Sequence, residues 1–228
     1  MYSPSVKSRV AQTAIEYVTP FKELFIDREF LIYSEAFDSD QPYEHMTADP
    51  FNFAHLLGMH SRRYSNRALY DMAVAGTLSE DDFHFAHGSL REGEAKSFAK
   101  RKMRVFPYFE TLLQPGVKVQ KDFQKGSING RFLLFTDHVA MCFSSDDARH
   151  PNSLLEPRGT LNLDRARPVE LIISRPKGSE TYDRIEFGEP SVLRKYAEYL
   201  PAALSNELRT QAMPTSRCTN NHSKKSIA

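Results

Sequence analysis

Apolar positions along the chain have two textures. As far as about residue 113 they mostly recur at helical spacing. Beyond Pro115-Gly116 they gather into short runs bounded by turn residues. Val10, Ala14 and Tyr17 share one side of a helix over Val10–Tyr17; Pro20 interrupts it and Phe21–Phe25 resumes it. Glu29–Tyr33, EFLIY, predicts a strand, 35–42 a polar turn, and Tyr43–Thr47 a second strand returning beside the first. Asp49-Pro50 marks a boundary, since proline biases the preceding residue away from the α region. The apolar stretch FNFAHLLGMH, Phe51–His60, then predicts a helix beginning near Phe51. Continued helically, it separates His55 and His60 by a rotation of roughly 140°, so the two need not share a face. Ser61–Ala75 reads as a helix closed by Gly76, with Arg62, Arg63 and Arg67 opposite its apolar stripe. Ser79 with Asp82 offers a cap, and Asp81–Leu113 reads as helical in two pieces around Gly88–Gly93.

The later texture predicts strands at Val117–Phe123, Arg131–Thr136 (RFLLFT) and Val139–Phe143 (VAMCF), with Asp137-His138 as a hairpin turn between the last two. Ser144–Ser153 reads as a polar loop and Pro157–Gly159 as a turn. Val169–Ser174 (VELIIS) and Tyr182–Phe187 are further strands; a helix opens at Pro190-Ser191 and stops at Pro201. Strands without long intervening helices imply antiparallel pairing. The expectation is an α+β fold, an N-terminal helical region packed on a C-terminal antiparallel sheet of about four strands. Residues 1–9 are expected to be flexible, 10–208 a single domain, and 209–228 a disordered polar tail.

Composition narrows the chemistry only modestly. With 228 residues, 40% apolar, the chain can build one sizeable core. Thirty basic against 29 acidic residues give a net charge of +1, which singles out no partner and leaves only local patches to consider. The strongest patch is Lys96, Lys100, Arg101, Lys102 and Arg104; it suits either a solvated helix face or phosphate contact. Cys142 and Cys218 sit in unlike contexts, so no disulfide is expected and a reducing, cytoplasmic setting is the default. No run approaches the length of a membrane span, and no membrane partner is expected.

Metal motifs are weak. His84 and His87 could meet on one helical face, but no Cys pair or carboxylate signature completes a site, and no cofactor is expected. Neither a phosphate-cradling nucleotide loop nor a serine-hydrolase elbow is present. Phosphodiester chemistry without a metal demands less regular spacing. It needs a group to take a proton from a ribose 2′-hydroxyl, and cations or donors to stabilise the phosphate. Lys125, Arg131, His138, His150, Asn152, Ser153, Tyr182 and Arg184 lie at the edges of strand candidates and permit such a site without diagnosing it.

FNFAHLLGMH resembles the aromatic–His–Leu–small signature of the phage Barnase–EndoU–colicin–RelE-like nuclease families, and HPNSLL at His150–Leu155 resembles their aromatic–Pro–basic–Ser/Thr–apolar segment. Histidine stands in place of the aromatic there and Asn152 in place of the cation. The order of elements over about residues 10–200 is similar too. The resemblance implies metal-independent RNA cleavage in a toxin or phage-conflict setting. His55 would serve in proton transfer, Ser153 as a donor to a phosphoryl oxygen, and His60 as a second proton-transfer candidate. Arg131, Lys125 and Arg184 are the candidates to supply the missing charge, with Arg131 favoured over Arg184 because Gly130 allows close approach. Tyr182 could stack on a base. Each has a plain alternative: a core histidine, a turn hydroxyl, surface ion pairs, a strand-face aromatic. RNA is the partner implied, and an immunity or other protein partner is compatible. A non-catalytic RNA- or protein-binding module on the same scaffold is the competing reading, and ADP-ribosyl transfer a distant third.

Overall fold

A computed structural model describes residues 4–85, 88, 91–145, 149–159 and 163–212. Helix α1, Val6–Phe21, starts on Ser5, whose side chain accepts from the Ser8 N–H. It runs through Pro20 rather than stopping there. The proline lies in the last turn, where its missing donor costs one bond. The ladder then widens into a π-helical turn, Lys22–Ile26, closed by Asp27 N–H on the Lys22 carbonyl. Strand β1, Arg28–Asp38, is longer than EFLIY alone predicts, and β2, Gln41–Thr47, returns antiparallel beside it.

Helix α2, Pro50–Leu56, is opened by a capping box between Asp49 and Asn52. It ends early, because Gly58 adopts φ +75° and turns the chain back. Helix α3 is confined to Asn66–Val74, with Ser65 as its cap. The Ser79–Asp82 cap exists as a hydrogen bond but starts no helix. Helix α4 begins only at Glu92 and continues to Val105, followed by a 3-10 segment, Phe106–Leu113. Phe21 packs on Phe25, Phe53, Phe106 and Phe109 with ring centroids 5.4–5.9 Å apart, and all five are fully buried. Such ring pairs add roughly 0.5–1.5 kcal/mol each beyond area burial, which makes this the joint holding the helices together.

The strands after Gly116 are β3 (Lys118–Lys125), β4 (Ile128–Phe135), β5 (Ala140–Phe143), β6 (Pro151–Leu155), β7 (Arg167–Pro168), β8 (Leu171–Pro176) and β9 (Arg184–Phe187). The β4–β5 hairpin turns at Asp137-His138 as expected. Strand β6 lies partly inside the stretch read as a loop. Its apolar signal is only Leu154-Leu155, and cross-strand pairing to β5 supplies the rest.

The α+β class holds, with antiparallel strands divided between two sheets, β2-β1-β8-β9 and β6-β5-β4-β3-β7. Strands β8 and β9 join the N-terminal pair because β1 offers its second edge to β8. Helix α5, Pro190–Lys195, and α6, Asn206–Ala212, cover that sheet with a separate apolar cluster including Leu31, Tyr33, Ile173, Tyr182 and Tyr196. Most of the expected polar tail, and His87, lie outside the described residues. Among the described residues no helix is long and apolar enough to cross a membrane.

Candidate functional site

Helix α4 turns Ala95, Ala99 and Met103 inward. Ala99 lies close to Gly58, just after α2. This phase leaves Phe98, Arg101 and Lys102 along the flank that faces β6, as residues three and four apart share one side. Strand β6 is the edge of its sheet, and α4 and two turns border the space beside it. The result is a cleft of about 510 Å3. It is bounded by Phe98, Arg101 and Lys102 from α4, Ser153–Glu156 from β6 and beyond, Lys125–Ile128 from the β3–β4 turn, and Arg158-Gly159.

Four cations line this cleft: Arg101, Lys102, Lys125 and Arg158. Among the described residues its one lining carboxylate is Glu156, which Arg104 pairs with at 2.8 Å. The lysines are anchored by carbonyls. Lys102 Nζ donates to the His55 carbonyl at 2.9 Å, and Lys125 Nζ donates to the Gly159 carbonyl. A carbonyl fixes an ammonium without cancelling its charge. Lys102 is half-buried, and burial lowers its ammonium from 10.5 to about 8. A group with that value exchanges protons near neutrality.

Ser153 and Lys125, both predicted from sequence, therefore share one opening. Ser153 is 7% exposed, opposite Cys142 in the sheet register. Asn152 sits beside it and donates to the Asn129 carbonyl at 3.1 Å, strapping β6 to the β3–β4 hairpin. His55 does not line the cleft; it reaches it through its backbone, by holding Lys102. The His55 and His60 rings meet edge to face at 5.8 Å. The helical rotation does not separate them because α2 ends at Leu56. His60 also exchanges backbone hydrogen bonds with His84. Among the described residues no cluster of His, Cys, Asp and Glu is suited to a metal ion.

The other candidates are placed elsewhere. Arg131 Nε donates to Glu44 at 2.6 Å, and its guanidinium lies 3.9 Å from Asp38. Arg149 takes the second oxygen of Glu44 at 3.1 Å. The close approach at Gly130 is to β5: a Cβ there would collide with Cys142 Sγ and the Phe143 carbonyl. Tyr182 is 3% exposed in the apolar cluster of the other sheet, with Arg175 4.9 Å above its ring. Arg184 pairs with Glu186 at 2.7 Å, also on that sheet. Cys142 is buried, which pushes its thiol up to about 12 and leaves it unreactive.

Phe98 and Arg158 went unnoticed in the sequence, and Lys102 was hidden within a basic run. The signal for Lys102 was the small-residue register Ala95–Ala99, which fixes the helix phase.

No curated protein and no solved structure matches the chain. A family match covers residues 16–167, which includes α2, α4, β3 to β6 and every residue of the cleft. On that match the chain belongs to the phage-Barnase-EndoU-ColicinE5/D-RelE like nuclease 4 family.

Proposed function

We propose that this protein is a metal-independent endoribonuclease and that the cleft beside β6 is its site. The observation that carries the reading is the donor set: a serine and four cations, one of them a lysine whose ammonium burial lowers to about 8, around an opening whose one carboxylate among the described residues is already committed. Such a set suits a phosphate directly, whereas divalent cations ask for oxygen ligands, typically carboxylates.

In this reading the Lys102 amine takes the proton of the ribose 2′-hydroxyl. The 2′-oxygen attacks phosphorus and the bond to the 5′-oxygen breaks. That oxygen leaves with a proton from solvent at the cleft's open mouth. The products are a 2′,3′-cyclic phosphate and a 5′-hydroxyl. Ser153 donates to a phosphoryl oxygen, while Arg101, Lys125 and Arg158 balance the charge gathering on the phosphate. Lys102 thus takes the role expected of His55, whose carbonyl positions it. A toxin or phage-conflict setting accords with the family's name.

The test is incubation of purified protein with RNA and with single-stranded DNA, with and without a chelator. Cleavage of RNA alone, undiminished by chelation, ending in cyclic phosphate, is the expected result. Equal background degradation by wild type and Ser153→Ala would overturn the assignment.

A further inference from the structure

Phe98 has no evident structural reason to be where it is. It is 45% exposed on a helix whose apolar side is already supplied by Ala95, Ala99 and Met103. It lines the cleft, and the Arg101 guanidinium lies over its ring, 4.5 Å from the centroid. Arg101 also lines a second groove of about 580 Å3 on the next side of α4, formed with Arg9, Ser97, Lys100, Met103 and Arg104. The two depressions therefore share a ridge, and that ridge carries an aromatic face with a cation on it. Among the described residues neither Arg9, Lys100 nor Arg101 forms an ion pair with a carboxylate. Positive charge continues from Arg158 and Lys125 through Lys102 and Arg101 to Lys100 and Arg9.

We propose that Phe98 and Arg101 form a base-stacking platform, and that the nucleic acid crosses it as an unpaired strand running from the cleft into the Arg9–Lys100 groove. An aromatic side chain gains from a base only when the base's flat face is open, and in a duplex neighbouring bases occupy that face. A cleft of this volume fits a nucleotide or two and not a double helix. Stacking does not read the 2′-hydroxyl, so unpaired DNA binds this path as RNA does. The inference rests on the cleft being a phosphodiester site, but it concerns binding and not cleavage.

That separation makes the test possible. Fluorescence anisotropy follows a labelled, unstructured 12-nucleotide deoxyoligonucleotide and its duplex at low salt, against wild type, Phe98→Ala, Phe98→Tyr and Lys100→Gln. The single strand is expected to bind at least about tenfold more tightly than the duplex. Phe98→Ala should weaken the single strand by roughly ten- to a hundredfold, with Phe98→Tyr retaining most of the affinity. Lys100→Gln should lower the salt dependence by about one released counterion. Equal binding of duplex and single strand, or an unchanged affinity in Phe98→Ala, overturns the platform. An unaltered salt slope in Lys100→Gln removes the second groove from the path. If RNA is cut yet Phe98→Ala binds normally, this inference alone fails; if Phe98-dependent binding is found without cleavage, only the nuclease reading fails.

Discussion

Two groups of cations in this molecule look alike in sequence and differ in what holds them. Around β2, Arg131 and Arg149 both donate to Glu44, whose side chain is 3% exposed, while Asp38 pairs with Lys121 at 2.5 Å and approaches Arg131. Here charge meets charge and is consumed, because a carboxylate taken out of water must be paired. In the cleft, Lys102 and Lys125 are held by the carbonyls of His55 and Gly159. Dipoles satisfy the donors but leave the positive potential available. What anchors a cation, more than its identity, decides whether it can meet a phosphate.

The largest effect that could break this contrast is at Lys102. Lys102→Met should reduce RNA cleavage by about 10²–10⁴-fold with the fold intact by circular dichroism; a loss matched by loss of structure would return Lys102 to the role of a helix tether. The wild-type rate should also climb with pH through about 8, as the amine loses its proton.

Stability carries the same signature. Below pH 8 Lys102 is charged in both folded and unfolded chains, and its burial opposes folding throughout. Between about 8 and 10.5 the unfolded chain alone still binds the proton, so stability rises with pH across that window. Urea midpoints should show this rise in wild type and lose it in Lys102→Met.

Next in size is Glu44→Gln. Leaving two guanidinium groups around a neutral amide should cost about 3–5 kcal/mol in urea denaturation, with cleavage per folded molecule preserved. A collapse of cleavage at unchanged stability would mean that the Glu44 cluster, and not the cleft, is the site. The smallest effect belongs to Lys125→Gln. It should leave stability within about 0.5 kcal/mol and weaken RNA binding several-fold, read as a flatter salt dependence.

Much of the architecture was legible where side chains repeat with a clear period. RFLLFT and VAMCF announced β4 and β5, and Asp49-Pro50 announced the start of α2. Strand β6 was not legible, since Pro151, Asn152 and Ser153 carry no strand preference and only pairing with β5 extends them. Lys102 was one basic residue among several because a shift of one position in helix phase would have put Arg101 or Met103 against α2. The burial of Glu44 did have a signal. Pro42, Glu44 and Met46 alternate on β2, all three buried, and a carboxylate at an inward position demands a cationic partner. That partner, Arg131, lies 87 residues away, a distance no local pattern spans.

The pairing of β1 with β8 has a practical consequence. The family match stops at residue 167, whereas β8 starts at Leu171 and zips along Arg28–Tyr33. A fragment trimmed to the matched span would leave EFLIY with an open row of amides and carbonyls, a ready template for another chain. Such a trimmed protein should precipitate or swap strands instead of folding as a smaller domain. The added C-terminal segment thus acts as the selvedge of the fabric, keeping the weave from running on into its neighbours.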